Sequence, residues 1–282
     1  MNIGVIGLGL IGGSLAKAIK KNTTHTVLGK DINEETMKKA TLTGAIDGEL
    51  TDISLADILI VSLYPSATVK FIEENADKIK KGAIVTDVSG VKKSVCDKLF
   101  PLAEERGFSF IGGHPMAGVE FSGFDYSKDA LFKNASMILV PSKKESIGNC
   151  ELLSELFKLL GFTRIQFTTP EEHDKMIALT SQLAHVISSA YVKSPSALNH
   201  KGFSAGSFRD MTRVARLNES LWSELFFANK ENLLTEIDGL IEHLIEYKTA
   251  LSEDDEEMMI ELLKEGTKRK LLSEKRYEKT HS

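Results

Sequence analysis

Ile3-Gly4-Val5-Ile6-Gly7-Leu8-Gly9-Leu10-Ile11-Gly12-Gly13-Ser14-Leu15 runs from an apolar strand-like stretch through a glycine turn into a helical pattern. Each glycine has a physical role at this spacing. Gly7 allows the tight turn, Gly9 lets a pyrophosphate approach the backbone, and Gly12 lets helix and strand pack closely. The pyrophosphate then sits on a helix N-terminus, where unpaired N–H groups and the helix dipole favour an anion. Gly7, Leu8, Gly9, Leu10, Ile11 and Gly12 are therefore read as a cofactor-binding loop. Asp31 stands 19 residues after Gly12, at the end of the next strand-like run. A carboxylate there accepts hydrogen bonds from ribose hydroxyls and repels a 2′-phosphate, so the cofactor expected is NAD rather than NADP.

Outward from this loop, residues 1–168 alternate short apolar runs (Ile3–Ile6, Thr26–Leu28, Ile58–Leu63, Ala83–Thr86, Phe108–Ile111, Met137–Val140, Thr163–Phe167) with helical stretches. Alternation of this kind predicts a parallel sheet covered on both faces. The continuous Ile58-Leu59-Ile60-Val61 reads as a strand buried on both sides. From residue 169 the period changes. Thr169-Pro170-Glu171-Glu172 predicts a capped helix to about Val192. Ser207-Phe208-Arg209-Asp210 predicts another capped helix, running toward Leu217. Two further helices are expected near 220–248 and 253–276. The fold class is thus α/β: a Rossmann-type, doubly wound, mostly parallel sheet over 1–168, then an all-helical part over 169–282.

Composition narrows the function classes. Of 282 residues, 42% are hydrophobic and 27% charged, the mixture of an ordinary globular protein. Residues 1–168 are charge-neutral, so the net −5 falls wholly on residues 169–282. No basic nucleic-acid footprint exists. No apolar run approaches the roughly 18 residues of a membrane span, and the N-terminus lacks the marks of a signal peptide. Cys96 and Cys150 form neither a disulfide framework nor a zinc-ligand pattern, so no metal is expected and a cytoplasmic location is.

Candidate site residues cluster at the carboxyl ends of later strands, where open α/β sheets bind ligands. Ser62 follows one strand, Asp87-Val88-Ser89-Gly90-Val91-Lys92 a second, and Gly112-Gly113-His114-Pro115-Met116-Ala117-Gly118 a third. His114 has the reference pKa of a general base at neutral pH. On the 169–192 helix, Asp174, Ala178, Ser181, His185 and Ser188 recur at intervals of three and four, which predicts one small, polar face lining a wet cavity. Arg209, Arg213 and Arg216 share a face on the next helix, where guanidiniums in an acidic surrounding invite carboxylates.

With these pieces assembled, the sequence resembles the prephenate/arogenate dehydrogenases of tyrosine biosynthesis. The matching segments are Gly7–Gly12, Asp87–Lys92, His114–Gly118 with Glu120 and Ser122-Gly123, Ser181–His185, and Phe208–Ala215. The resemblance implies NAD-dependent oxidative decarboxylation of prephenate. His114 would be the base, and Ser89 would assist it beside the cofactor. Arg213, His185, Gln182 and Ser181 would bind substrate, and a homodimer would form through the C-terminal helices. Two departures stand out. The family often has Gly-Ser where this chain has Ser89-Gly90, and often a second His where this chain has Gln182. Arogenate is the nearest alternative substrate. A β-hydroxy-acid dehydrogenase would look to Lys175 on the first helix after 168, and an NAD-sensing module would need no His114.

Overall fold

The computed structural model describes residues 1–119 and 121–279; Glu120 and residues 280–282 lie outside the described residues. The chain divides into two compact units, Met1–Lys230 and Glu231–Ser282.

In the first unit, among the described residues, eight strands form one sheet: β1 (Asn2–Ile6), β2 (Thr26–Lys30), β3 (Gly48–Glu49), β4 (Ile58–Val61), β5 (Ile84–Asp87), β6 (Ser109–Pro115), β7 (Ser136–Pro141) and β8 (Arg164–Phe167). Their spatial order is β3-β2-β1-β4-β5-β6-β7-β8. All neighbours are parallel except β6 and β7, which are antiparallel. The two-residue β3 escapes a sequence reading because it carries no apolar run. Chain direction across the sheet reverses between β1 and β4, which creates the crevice that binds ligands in such folds. Ile58 and Ile60 enter the core on one face of the sheet, Leu59 and Val61 the core on the other. That is the two-sided burial expected of a central parallel strand.

Five helices flank the strands: α1 (Leu10–Asn22), α2 (Glu34–Leu42), α3 (Pro65–Asn75), α4 (Lys93–Arg106) and α5 (Ile147–Leu159). Beyond β8 the chain is helical. Thr169 caps α6 (Pro170–Ile177) by accepting from the Glu172 N–H. A π turn over Ala178–Leu183 joins α6 to α7 (Ala184–Tyr191).

Three helix expectations need correction. Helix α8 spans Gly206–Thr212 and Ser207 does not cap it, so Arg213 and Arg216 lie beyond its end and the three arginines share no helix face. The stretch expected as 220–248 is two helices, α9 (Glu219–Ala228) and α10 (Lys230–Ser252), broken at Asn229 with φ −120° and ψ 29°. Its amide donates to the Asp174 carbonyl (2.7 Å) and Gln182 Oε1 (2.8 Å), tertiary bonds that favour the break. Last, α11 (Glu256–Lys279) starts later than the expected residue 253: Asp254 has φ +53° and the Asp255 carboxylate accepts from the Met258 N–H.

The second unit consists of the rest of α10, from Glu231, together with α11. Ile241, Leu244, Ile245, Ile260, Leu263, Leu271 and Leu272 are exposed there.

Candidate active site

The glycine loop has the form its spacing predicts. Gly7 adopts φ +82°, a left-handed turn that side chains resist. A Cβ on Gly12 would lie 1.9 Å from the Gly7 carbonyl oxygen, so only glycine lets α1 approach the turn. A Cβ on Gly9 would meet nothing within 4 Å, which leaves the open backbone face a pyrophosphate needs. Asp31 closes the loop from behind, its carboxylate accepting from the Leu8 N–H (2.7 Å) and the Asn33 N–H (2.9 Å). Ser62 lies against Gly7 and Gly12 at the end of β4, its N–H bonded to the Ile6 carbonyl (2.7 Å). These residues fit a dinucleotide.

Two strands further along the same edge, a buried polar cluster fixes the backbone ahead of His114. Asp87 and Lys92 have no solvent exposure and are ion-paired. Lys92 Nζ also donates to the Gly113 carbonyl (2.6 Å), while the Gly113 N–H donates to Asp87 Oδ1 (3.1 Å). Gly113, the residue before His114, is thus held at both its N–H and its carbonyl. Ser89 serves the same cluster: its hydroxyl donates to Asp87, with the Val91 carbonyl 3.0 Å away and Lys92 Nζ at 3.3 Å. The single hydroxyl hydrogen is thus committed to Asp87. A Cβ on Gly90 would instead lie 3.9 Å from His114 Nε2, with Leu225 at 3.3 Å.

His114 Nδ1 is 2.9 Å from His173 Nε2, and His173 Nδ1 is 2.7 Å from Asp174 Oδ1. Asp174 also accepts from the Lys92 N–H (2.7 Å) and the Lys93 N–H (2.9 Å), capping α4 from a distant part of the chain. Burial, then the neighbouring His173 and Lys92, hold the His114 pKa well below the ordinary histidine value. Burial also lowers His173, with Asp174 opposing it. Both rings are therefore neutral at neutral pH.

The opposite wall comes from α9. Leu225 packs beside Gly90, and Trp222, one turn earlier, stacks on His185 with ring centroids 3.8 Å apart. His185 Nδ1 donates to the Ser181 carbonyl (2.8 Å). Its pKa is lowered by burial and by the charge of Arg213, with the Ser181 bond opposing. Glu224, on the same helix, accepts from the Ser66 N–H (2.6 Å) at the start of α3.

The single polar face expected on the 169–192 helix is not formed. The π turn resets its register, and Asp174 and Ser188 are buried at 1% exposure. Gln182 is also 1% exposed, with Nε2 donating to the Leu225 carbonyl (3.0 Å) and Oε1 accepting from Asn229. The structure thus brings His114, His185 and, through its charge, Arg213 toward one region; Ser89 and Gln182 face inward. Sequence reading missed His173, Trp222 and Leu225. The adjacent His173-Asp174 pair just inside a capped helix was the available signal for the first.

Comparison with known proteins settles the family. A family model for the prephenate dehydrogenase nucleotide-binding domain matches residues 15–165, and one for the prephenate dehydrogenase dimerization domain matches residues 169–265. The chain belongs to the prephenate dehydrogenase family. The prephenate dehydrogenase of Bacillus subtilis (strain 168) is 32% identical over 92% of this chain and 72% of its own. A crystal structure of prephenate dehydrogenase from A. aeolicus, in complex with hydroxyphenyl propionate and NAD+, superposes with a TM-score of 0.85 at 29% identity, covering 96% of this chain and 97% of that one. A Synechocystis arogenate dehydrogenase structure superposes with a TM-score of 0.81, also at 29% identity, covering 96% and 99%. Within this prephenate dehydrogenase family member, no helix among the described residues is long and apolar enough to cross a membrane. Among the described residues, no cluster of His, Cys, Asp or Glu could hold a metal ion.

Proposed function

We propose that this chain is an NAD-dependent prephenate dehydrogenase, converting prephenate to 4-hydroxyphenylpyruvate and carbon dioxide. One observation carries the reading. His114 lies one residue before the end of β6, three strand spacings (about 14 Å) from the glycine loop after β1, which suits an extended dinucleotide lying between them. We assign residues 1–168 to dinucleotide binding and 169–282 to substrate binding and dimerisation.

Gly7, Leu8, Gly9, Leu10, Ile11 and Gly12 hold the pyrophosphate, Asp31 the adenine-side ribose, and Ser62 the floor of the loop. A bound nicotinamide ring supplies the hydride acceptor. His114 Nε2 takes the proton of the substrate's C4 hydroxyl as the C4 hydride departs. Loss of the ring carboxylate as carbon dioxide leaves its electron pair in the ring, and His114 returns the proton to the phenolate oxygen. Arg213 lies close enough to His185 for its charge to lower that ring's pKa, and its planar fork suits a substrate carboxylate. His185, held flat by Trp222, and Ser181 line the same end. Ser89 and Gln182 act through the protein: Ser89 by tightening the Asp87–Lys92 pair, Gln182 by tying the π turn to α9.

The exposed apolar residues of α10 and α11 support a homodimer formed through the helices of the second unit. A cytoplasmic location is supported by two free thiols. The test follows reduced-nicotinamide absorbance with prephenate or arogenate, each with NAD or NADP. Rapid reduction of NAD by prephenate is expected. Activity with arogenate alone would reassign the substrate, and silence in all four mixtures would overturn the proposal.

A further inference from the structure

We propose that His173 and Asp174 are positioning residues that set the tautomer of His114, keeping its Nε2 lone pair facing the crevice. This rests on His114 being the base of the proposed reaction, but the tautomer itself does not. The argument follows donors and acceptors along one chain of bonds. The two Asp174 oxygens accept from the Lys92 and Lys93 N–H groups, which can only donate. A carboxylate held in this way is an acceptor toward His173 as well, so His173 Nδ1 carries the hydrogen in their 2.7 Å bond. A neutral imidazole with hydrogen on Nδ1 has a bare Nε2. His173 Nε2 must then accept in the 2.9 Å contact with His114, which places the hydrogen of neutral His114 on Nδ1 and its lone pair on Nε2. Burial of both rings, which disfavours their charged forms, keeps the chain in this state.

The arrangement is the same before and after proton uptake. When Nε2 takes a proton, Nδ1–H still donates to His173, so no ring need turn. The N-terminus of α4 anchors the far end, because the carboxylate that orients His173 also caps that helix. An isolated histidine would divide between two tautomers, only one of which presents a lone pair to the substrate.

The test uses enzyme labelled with ¹⁵N in its seven histidines, with the His114 signals assigned by their loss in His114→Asn. Neutral His114 is expected to show a protonated Nδ1 and a bare Nε2. His173→Leu should mix the tautomers and lower kcat by about 10²-fold, within the range a positioned base contributes, while leaving KM for both substrates in place. His173→Gln offers an oxygen acceptor to His114 Nδ1–H and should recover about tenfold of that loss, roughly 1.4 kcal/mol of barrier. A wild-type His114 protonated at Nε2 overturns the proposal. So does a folded His173→Leu enzyme with wild-type kcat. If the Leu variant fails to fold, the wild-type tautomer and the Gln variant decide. A wild-type enzyme inactive with prephenate and arogenate removes the functional reading, while the ring tautomer still tests the relay.

Discussion

Replacing Lys92 with methionine separates the electrostatic role of the Asp87–Lys92 pair from its packing role. Methionine keeps most of the buried stem and removes only the ammonium. In the native protein that ammonium meets Asp87, the Gly113 carbonyl at 2.6 Å and Ser89 Oγ at 3.3 Å, with no solvent exposure on either charged side chain. Breaking a buried pair from one side costs about 3–5 kcal/mol because the remaining charge is uncompensated. Asp87 keeps three donors (the Ser89 N–H, the Ser89 hydroxyl and the Gly113 N–H), which places the expected loss at the low end, about 3 kcal/mol. For a chain of this size that is a fall in Tm of roughly 6–12 °C. Urea unfolding followed by circular dichroism measures it. The double variant Asp87→Asn/Lys92→Met removes both charges of this pair and should be more stable than Lys92→Met alone, with a coupling energy of about 1–3 kcal/mol. Lys92→Met should also lower kcat, because Gly113, the residue before His114, loses one of its two clamps. If Lys92→Met unfolds within about 0.5 kcal/mol of wild type, the surface-substitution range, the pair is not the buried anchor described above.

Other outcomes follow from the same geometry. Asp31→Ala removes the carboxylate behind the loop; the ratio of kcat/KM for NAD over NADP should fall by about tenfold or more, a loss of roughly 1.5–3 kcal/mol. Arg213→Ala should raise KM for prephenate by about one to two decades and leave KM for NAD unchanged, as steady-state kinetics would show. Gly12→Ala drives a methyl into the Gly7 carbonyl and should abolish NAD binding measured by calorimetry. For pH, His114, His173 and His185 all have folded-state pKa values below their ordinary 6.5. The unfolded chain therefore binds more protons as pH falls below about 6.5, and stability should be complete above that value and decline beneath it. Thermal melts between about pH 8 and 5 read this, and a Tm flat across the window would contradict the lowered pKa values of the three rings.

The first half of the fold was legible because its signals are local. Gly7, Gly9 and Gly12 are required by steric contacts within a few residues, and alternation of apolar runs and helices forces the parallel sheet. The last third was less legible. Nothing near residue 229 announces a helix break, since the bonds that favour it go to Asp174 and Gln182. Ser207-Phe208-Arg209-Asp210 has the letters of a capping box, yet the helix begins one residue earlier and stops before Arg213. The π turn at 178–183 moved the small, polar residues of the 169–192 helix off their shared face. At the site, His114 was visible as a histidine at a strand end. Its partner His173 was not, because a buried His-Asp pair and a solvated one have the same spacing. Ser89 and Gln182 were polar residues in the right segments whose hydrogen bonds turn out to point into the protein.

Asp174 has a consequence for anyone who recombines relatives of this enzyme. The most natural cut lies at the end of β8, where the strands stop, and a chimera made there would pair one parent's His114 with the other parent's residues 173 and 174. The α4 N-terminus of the first parent would then be capped by a side chain that had not been selected alongside it. Moving the crossover about seven residues downstream keeps strand, cap and imidazole pair from a single parent while still exchanging Arg213 and the helix that carries Trp222. The seam that keeps these contacts intact thus lies inside α6, one turn past the point where the secondary structure changes.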